Sequence, residues 1–229
     1  MHKRFAQNTA GRDFIVGDIH GCFTRLQAHL DLIGFDASVD RLFSVGDLVD
    51  RGPESELALD WLAKPWFHAV RGNHEQMAID HAAGFSDDRI YIANGGAWYL
   101  AMTKPEQRLF AGEFSAMPIA ITLETEAGLV GLVHAECPAA DWDSLIHALN
   151  SAQGEQVAMC CMWSRDRITN AFEDDVSGVR AVVVGHTPVQ SWTSLGNVLY
   201  IDTGAVFQGR DFTVLDAATL TPATEGCPA

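Results

Sequence analysis

The sequence predicts an α/β fold built around a parallel sheet, and three observations predict it. Short apolar runs alternate with stretches of helical period through the first third of the chain. The polar residues ending those runs recur at the length of a βαβ unit: Asp18 to Asp47 is 29 positions and Asp47 to Asn73 is 26. Apolar, β-branched runs return in the last quarter and fit a second sheet packed on the first, much of it antiparallel.

The elements follow in order. "DFIVGD" is a strand closed by Gly17 and Asp18, and "FTRLQAHLDLIGF" is a helix with Gly34 near its end. "RLFSVGD" is a second strand, and "ESELALDWLA" a second helix with Pro53 at its start. "WFHAVRGN" and "EQMAIDHAA" are the third strand and helix. Residues 84–118 read as helical and irregular around the loop-like "NGG" at 94–96, and their position suits a substrate-facing cap. "IAITLETEAGLVGLVHAE" is a hairpin turning near Gly128. Residues 141–163 read as mostly helical, followed by strands at "VRAVVVGHT", "VQSWTSL", "NVLYIDTG" and "FTVLDA" and a loose tail at "TPATEGCPA". No linker or repeat divides the chain, so residues 1–229 read as one domain.

Composition bounds the function. Of 229 residues, 48% are hydrophobic and 20% charged, as in an ordinary globular domain. Thirty acids against 15 bases give a net charge of −15, which excludes nucleic acid or an anionic membrane as the main partner. An anionic substrate then requires a local positive centre. Five cysteines (Cys22, Cys137, Cys160, Cys161, Cys227) form no CxxC pair, and "MHKRFAQNTAGRD" is no signal peptide, so reduced thiols in the cytoplasm are expected. No apolar run approaches the ~20 residues that span a bilayer. Oligomeric state leaves no mark in the sequence.

The chemistry lies at the strand ends, which line the crevice in open α/β sheets. Asp18 and His20, then Asp47, Asp50 and Arg51, then Asn73 and His74, then His134, and finally His186 each follow an apolar run. A single histidine after a strand is usually a satisfied polar residue, whereas five strand ends bearing such groups form a pattern. Glycine precedes Asp18, Asp47, Asn73 and His186, which permits close backbone approach. Asp18, His20, Asp47, Asn73, His134 and His186 are six oxygen and nitrogen donors without a cysteine, a set suited to manganese, iron or catalytic zinc. Six exceed one open site and divide between two ions if a carboxylate bridges. Asp47, on the middle strand of the three, is the expected bridge. His74 stands beside a ligand without being one, which suits a general acid oriented by Asp50, although Asp50 also reads as a helix cap before Pro53. Arg51 suits bidentate phosphate binding, with a surface ion pair as its plain alternative.

"GDIHG", "GDLVDRG", "GNHE", "VHAE" and "GHT" together resemble the motifs of PPP-type metallophosphatases within the calcineurin-like metallophosphoesterase superfamily. "DRLFSVGDLVDRGPES" and "WFHAVRGNHEQM" resemble the bacterial and phage branch of serine/threonine protein phosphatases, and the resemblance runs from about residue 13 to 210. It implies a two-sheet sandwich flanked by helices (αββα) and two divalent ions, manganese above all. It places Asp18, His20 and Asp47 on one ion and Asp47, Asn73, His134 and His186 on the other. It assigns the same His74–Asp50 pair, and it points to Arg165 rather than Arg167 as a second phosphate clamp within "WSRDR". The implied activity is hydrolysis of phosphomonoesters on a phosphorylated protein or peptide, by in-line attack of a metal-bound hydroxide.

Three rivals remain. Cys161 to Arg167 matches Cys-x5-Arg, the spacing of covalent cysteine phosphatases, but without the glycines of a phosphate loop. "GDIHGC" and "DRGPES" echo symmetrical dinucleoside polyphosphate hydrolases on the same fold. A non-catalytic binding module would have lost a ligand or His74, and none is missing.

Overall fold

The computed structural model describes residues 1–223. Its elements are β1 (His2–Phe5), β2 (Asp13–Val16), α1 (Phe23–Leu32), β3 (Arg41–Ser44), α2 (Ala58–Leu62), β4 (Phe67–Ala69), α3 (Asn73–Ala82), α4 (Asp88–Ala93), α5 (Ala97–Leu100) and α6 (Lys104–Ala116). The second half holds β5 (Ala120–Thr125), β6 (Gly128–Leu132), α7 (Trp142–Leu149), α8 (Gly154–Trp163), α9 (Asp166–Asn170), β7 (Ala181–Val184), β8 (Thr193–Leu195), β9 (Val198–Tyr200), β10 (Val214–Asp216) and β11 (Thr221–Pro222).

Strand side chains alternate between faces, so one strand can feed two cores. Ile15, Phe43, Ala181 and Val183 point into the layer between the sheets, with Val130, Leu132 and Leu199. Their neighbours Phe14, Val16 and Leu42 point outward under α1, α2 and α3. Val182 and Val184 point outward under α7 and α8, against Trp142 and Leu145. Both faces of each sheet are therefore covered, which is why these strands read as continuous apolar runs. Two sheets packed face to face and flanked by helices result, the αββα arrangement. Each fully buried Val, Leu, Ile or Phe stabilises it by about 1.5–3 kcal/mol.

One sheet has the order β11-β10-β2-β3-β4, with β2, β3 and β4 parallel. The other has the order β1-β5-β6-β7-β9-β8. Two expectations need correction, and one strand went unforeseen. The second sheet is not mainly antiparallel: β1–β5, β6–β7 and β7–β9 are parallel, against β5–β6 and β8–β9. "FTVLDA" gives β10, which joins the first sheet beside β2. The chain start, to which no element was assigned, forms β1, which pairs with β5 and carries an Arg4–Glu124 ion pair at 2.7 Å. The tail begins with β11 paired to β10; the rest of it, with Cys227, lies outside the described residues.

Parallel strands end on one side of the molecule. β2, β3, β4, β6, β7 and β9 lead directly to Asp18, Asp47, Asn73, His134, His186 and Asp202, and all six residues are buried.

Candidate metal centre and phosphate site

The local backbone is forced into place at these strand ends. Seven non-glycine residues among those described have φ in the left-handed region, and five belong to this cluster: His20 (46°), Asp47 (50°), Asp50 (70°), Arg51 (69°) and His186 (65°). Each such conformation costs about 1–2 kcal/mol for an L-residue, and such strain collects where surrounding structure holds a functional geometry. Space is equally tight. A Cβ on Gly185 would lie 2.0 Å from Asp18 Oδ1, and one on Gly72 would lie 2.2 Å from Asp47 Oδ1.

Asp47 sits at the centre. Its Oδ1 lies 3.3 Å from His134 Nε2 and accepts from the His74 backbone N–H at 3.0 Å. Its Oδ2 lies 3.7 Å from His20 Nε2 and 3.8 Å from His74 Nε2. Asp18 Oδ2 is 4.0 Å from His20 Nε2, and the Asp18 carboxylate accepts from the His186 backbone N–H at 3.1 Å. Asn73 Oδ1 lies 2.9 Å from His134 Nε2 and 2.8 Å from His186 Nδ1. The structure thus brings all six expected ligands together. Two sets of donors each have their ligand atoms within 4.8 Å of one another: His20, Asp47 and His74 in one, and Asp47, His134 and His186 in the other. Asp47 belongs to both.

The donor set fits divalent cations on its own chemistry. His20 Nδ1 and His134 Nδ1 each donate to a backbone carbonyl at 2.8 Å, to Val49 and Val45. That turns a bare Nε2 lone pair inward, the usual arrangement for metal-bound histidine. His134 Nε2 then faces Asn73 Oδ1 and Asp47 Oδ1; burial opposes charge on this ring, but Asp47 outweighs it and raises the ring above its ordinary value, so the point where these groups meet calls for a positive charge, a proton or a cation. His186 Nε2 is buried without a hydrogen-bond partner. Electrostatics agree. Burial, then repulsion from Asp202 and Asp47, pushes the Asp18 carboxyl well above its ordinary range. Burial also opposes ionisation of Asp47, but His134 and His74 outweigh it and hold that carboxyl well below the usual range. Burial lowers both His20 and His186 to about 3, so both rings stay neutral and available as ligands.

Beside this cluster stands a second group. His74 Nδ1 donates to Asp50 Oδ2 at 2.7 Å, which leaves Nε2 facing the cluster. Arg51 is exposed and its guanidinium contacts His20 Nε2. Arg165, at the start of α9, is exposed and its guanidinium lies 3.4 Å from the His186 carbonyl. Arg167 is instead buried and turned to the carbonyls of Phe172 and Asp174 at 2.9 and 2.7 Å. Cys161 is fully buried within α8, and burial pushes its thiol far above the ordinary range. The Cys161/Arg167 pair therefore lacks both a phosphate loop and an accessible thiolate.

Sequence reading missed three contributors. Asp202 follows β9 as the expected ligands follow their strands, and "YIDTG" carried that signal uncounted. Glu75 accepts from the backbone N–H groups of Gly72, Asp47 and Leu48 at 2.8, 3.0 and 2.8 Å, tying the two ligand loops together; burial, then Asp47, raises its carboxyl to about 7. Trp98 donates to Asp50 from a segment 48 residues away, with nothing local to announce it.

Comparison with known proteins places this geometry. The family described as Calcineurin-like phosphoesterase matches residues 14–190. The chain is 38% identical over 215 residues to Serine/threonine-protein phosphatase 1 of Salmonella typhimurium, covering 92% of this chain and 94% of that one. It is 44% identical over 91 residues to the symmetrical bis(5'-nucleosyl)-tetraphosphatase of Coxiella burnetii, covering 38% of this chain and 29% of that one. A solved structure provisionally described as a diadenosine tetraphosphatase matches with a TM-score of 0.67 at 19% identity, over 96% of this chain and 94% of that one. At that identity the likeness concerns the fold.

Proposed function

This chain belongs to the calcineurin-like phosphoesterase family and is a metallophosphoesterase, and we propose that it removes phosphate from phosphoserine and phosphothreonine in proteins or peptides. The observation that carries the reading is the His74–Asp50 pair, held at 2.7 Å beside the buried donor cluster. A serine or threonine alkoxide is a poor leaving group and needs a proton as it departs; a site built only for activated esters would not. The 38% identity to a serine/threonine-protein phosphatase over 92% of the chain supports the same substrate class.

In this reading Asp18, His20 and Asp47 would hold one divalent ion and Asp47, Asn73, His134 and His186 the other, manganese being the expected metal. Two such ions, when bound, would offset the phosphoryl charge and lower the pKa of a bound water to about 7. Arg51 and Arg165 grip the phosphate oxygens, adding to the local positive charge that an acidic protein requires. Asp50 fixes the proton on His74 Nδ1. The Nε2–H of the imidazolium passes to the leaving oxygen as the P–O electron pair moves onto it, and the ring is left neutral with Nδ1–H still on Asp50. Phosphotyrosine, a better leaving group, would also fit. The reduced thiols of Cys22, Cys137, Cys160 and Cys161 are consistent with the expected cytoplasmic setting, and no helix among the described residues is long and apolar enough to cross a membrane.

The test is turnover of chelator-treated protein on phosphopeptides after adding back manganese, iron, zinc or magnesium. Restoration on phosphopeptides is expected. A second reading, hydrolysis of dinucleoside tetraphosphates, is favoured by the 44% identity confined to 91 residues. Preferential turnover of diadenosine tetraphosphate would replace the protein substrate with that one. Within the main reading, His74→Asn should slow alkyl phosphates by about 10²–10³-fold and activated aryl phosphates far less. Equal losses on both would remove the general-acid role.

A further inference from the structure

Asp50 is fully buried and both its carboxylate oxygens are spoken for. Oδ2 accepts from His74 Nδ1 at 2.7 Å, and Oδ1 accepts from the indole Nε1–H of Trp98 at 2.6 Å. Trp98 lies on α5, within the stretch whose position suited a cap over the substrate. Its ring is half-buried and locked edge-on between Tyr99 and Phe110, with centroids 5.6 and 5.3 Å away. The same stretch grips the next residue too: Gly95, at φ 103°, approaches so closely that a Cβ there would lie 2.4 Å from the Arg51 backbone nitrogen. Asp50 and Arg51 both hold left-handed backbone, which a free loop would relax. On the far side the Asp50 backbone N–H donates to Ser55 Oγ at 2.8 Å.

We propose that Trp98 is a positioning residue for the leaving-group step: its indole N–H fixes the Asp50 carboxylate in the one rotamer that aims His74 Nε2 at the departing oxygen. This rests on the general-acid role given to His74. Without the indole donor, Oδ1 loses its partner, and Asp50 is free to turn toward another donor, the buried and unpartnered hydroxyl of Tyr91. The His74 ring then loses its fixed direction, although His74 and every metal ligand remain in place. A misdirected acid fails in proportion to the demand for it, so the loss should follow leaving-group basicity rather than substrate binding.

Trp98→Phe keeps an aromatic ring between Tyr99 and Phe110 and removes only the donor. Expected is a roughly tenfold fall in kcat on an alkyl phosphate, with KM and the rate on a nitrophenyl phosphate nearly unchanged, the size of one hydrogen bond to a charged group. In an Asp50→Asn background the same change should add almost nothing. If His74→Asn spares aryl phosphates but Trp98→Phe slows both substrates equally, or adds its full effect to Asp50→Asn, the positioning role is overturned while the acid role stands. If His74→Asn itself spares neither, the acid role has failed first. Should the Phe variant not fold, the wild-type protein still decides: the Trp98 indole proton should resonate downfield of the other five tryptophan indoles and move upfield in Asp50→Asn. An indole signal that is indifferent to Asp50 overturns the proposal.

Discussion

The close approach of Gly185 to Asp18 yields a prediction whose size follows from distances alone. Gly185 follows β7 and precedes His186, and its φ lies outside the left-handed region, so alanine is allowed there by the backbone. What forbids alanine is space. Its Cβ would stand 2.0 Å from Asp18 Oδ1 and 2.7 Å from Val45 Cγ2. An ordinary C···O contact is about 3.3 Å, so roughly 1.3 Å must be found. β7 is central in its sheet and Val45 is fully buried, so neither yields cheaply. The carboxylate of Asp18 is the easiest thing to move. A metal donor tolerates errors of about 0.2 Å, several times less than this displacement. Gly185→Ala should therefore weaken manganese binding about 10–100-fold, or roughly 1.4–2.8 kcal/mol. Overpacking should cost a further ~1–3 kcal/mol of stability. Titration calorimetry on chelator-treated protein and thermal unfolding read the two effects separately. Gly112, exposed on α6 with nothing within 4 Å of its Cβ position, supplies the control: Gly112→Ala should raise stability by about 0.5–1 kcal/mol. A Gly185→Ala protein that binds two manganese ions at unaltered affinity would refute the account of crowding around Asp18.

Two further perturbations test other parts of the molecule. Asp47→Asn should lower metal content at both positions, because Asp47 belongs to both donor groups; two full equivalents by elemental analysis would end the bridge assignment. His68 packs between Phe5 and Phe43, with centroids 4.4 and 5.1 Å away, and burial, then Lys3 and Arg41, lowers it to about 4. In the unfolded chain it titrates near 6.5, so its contribution is complete above that pH and is lost as pH falls from 6.5 toward 4. The full shift is worth ~3 kcal/mol, reduced by solvent screening of a partly exposed ring to roughly 1–2 kcal/mol. His68→Phe should be less acid-sensitive by that amount between pH 7 and 4.5 in denaturant melts, and parallel curves for the two proteins would contradict it.

The legible parts of this fold are those where chemistry dictates residue type. "AVVV" must be apolar at every position because β7 has a core on each face, and the hairpin at Gly128 is a local event. β1 was invisible because its middle residues, Lys3 and Arg4, are charged and exposed and its partner begins 118 positions later, at Ala120. The side on which β10 would dock depends on pairing across nearly the whole chain, which periodicity does not encode. At the site, carboxylates, imidazoles and an amide after apolar runs are a pattern that sequence can display. The left-handed backbone at Asp50 and Arg51, the three backbone bonds to Glu75 and the indole on Asp50 are relations between distant segments, and only the folded chain displays them.

Asp18, Asp47 and Asn73 are carried by one sheet, while His134 and His186 are carried by the other. Any ion they share therefore straddles the seam of the sandwich and acts as a clasp between its two halves. At ten times its dissociation constant such an ion adds about 1.4 kcal/mol to the folded state. Under that ligand set, metal supply would govern how long the protein survives heat as well as how fast it works, and a cell that withholds the ion would loosen the scaffold along with the reaction.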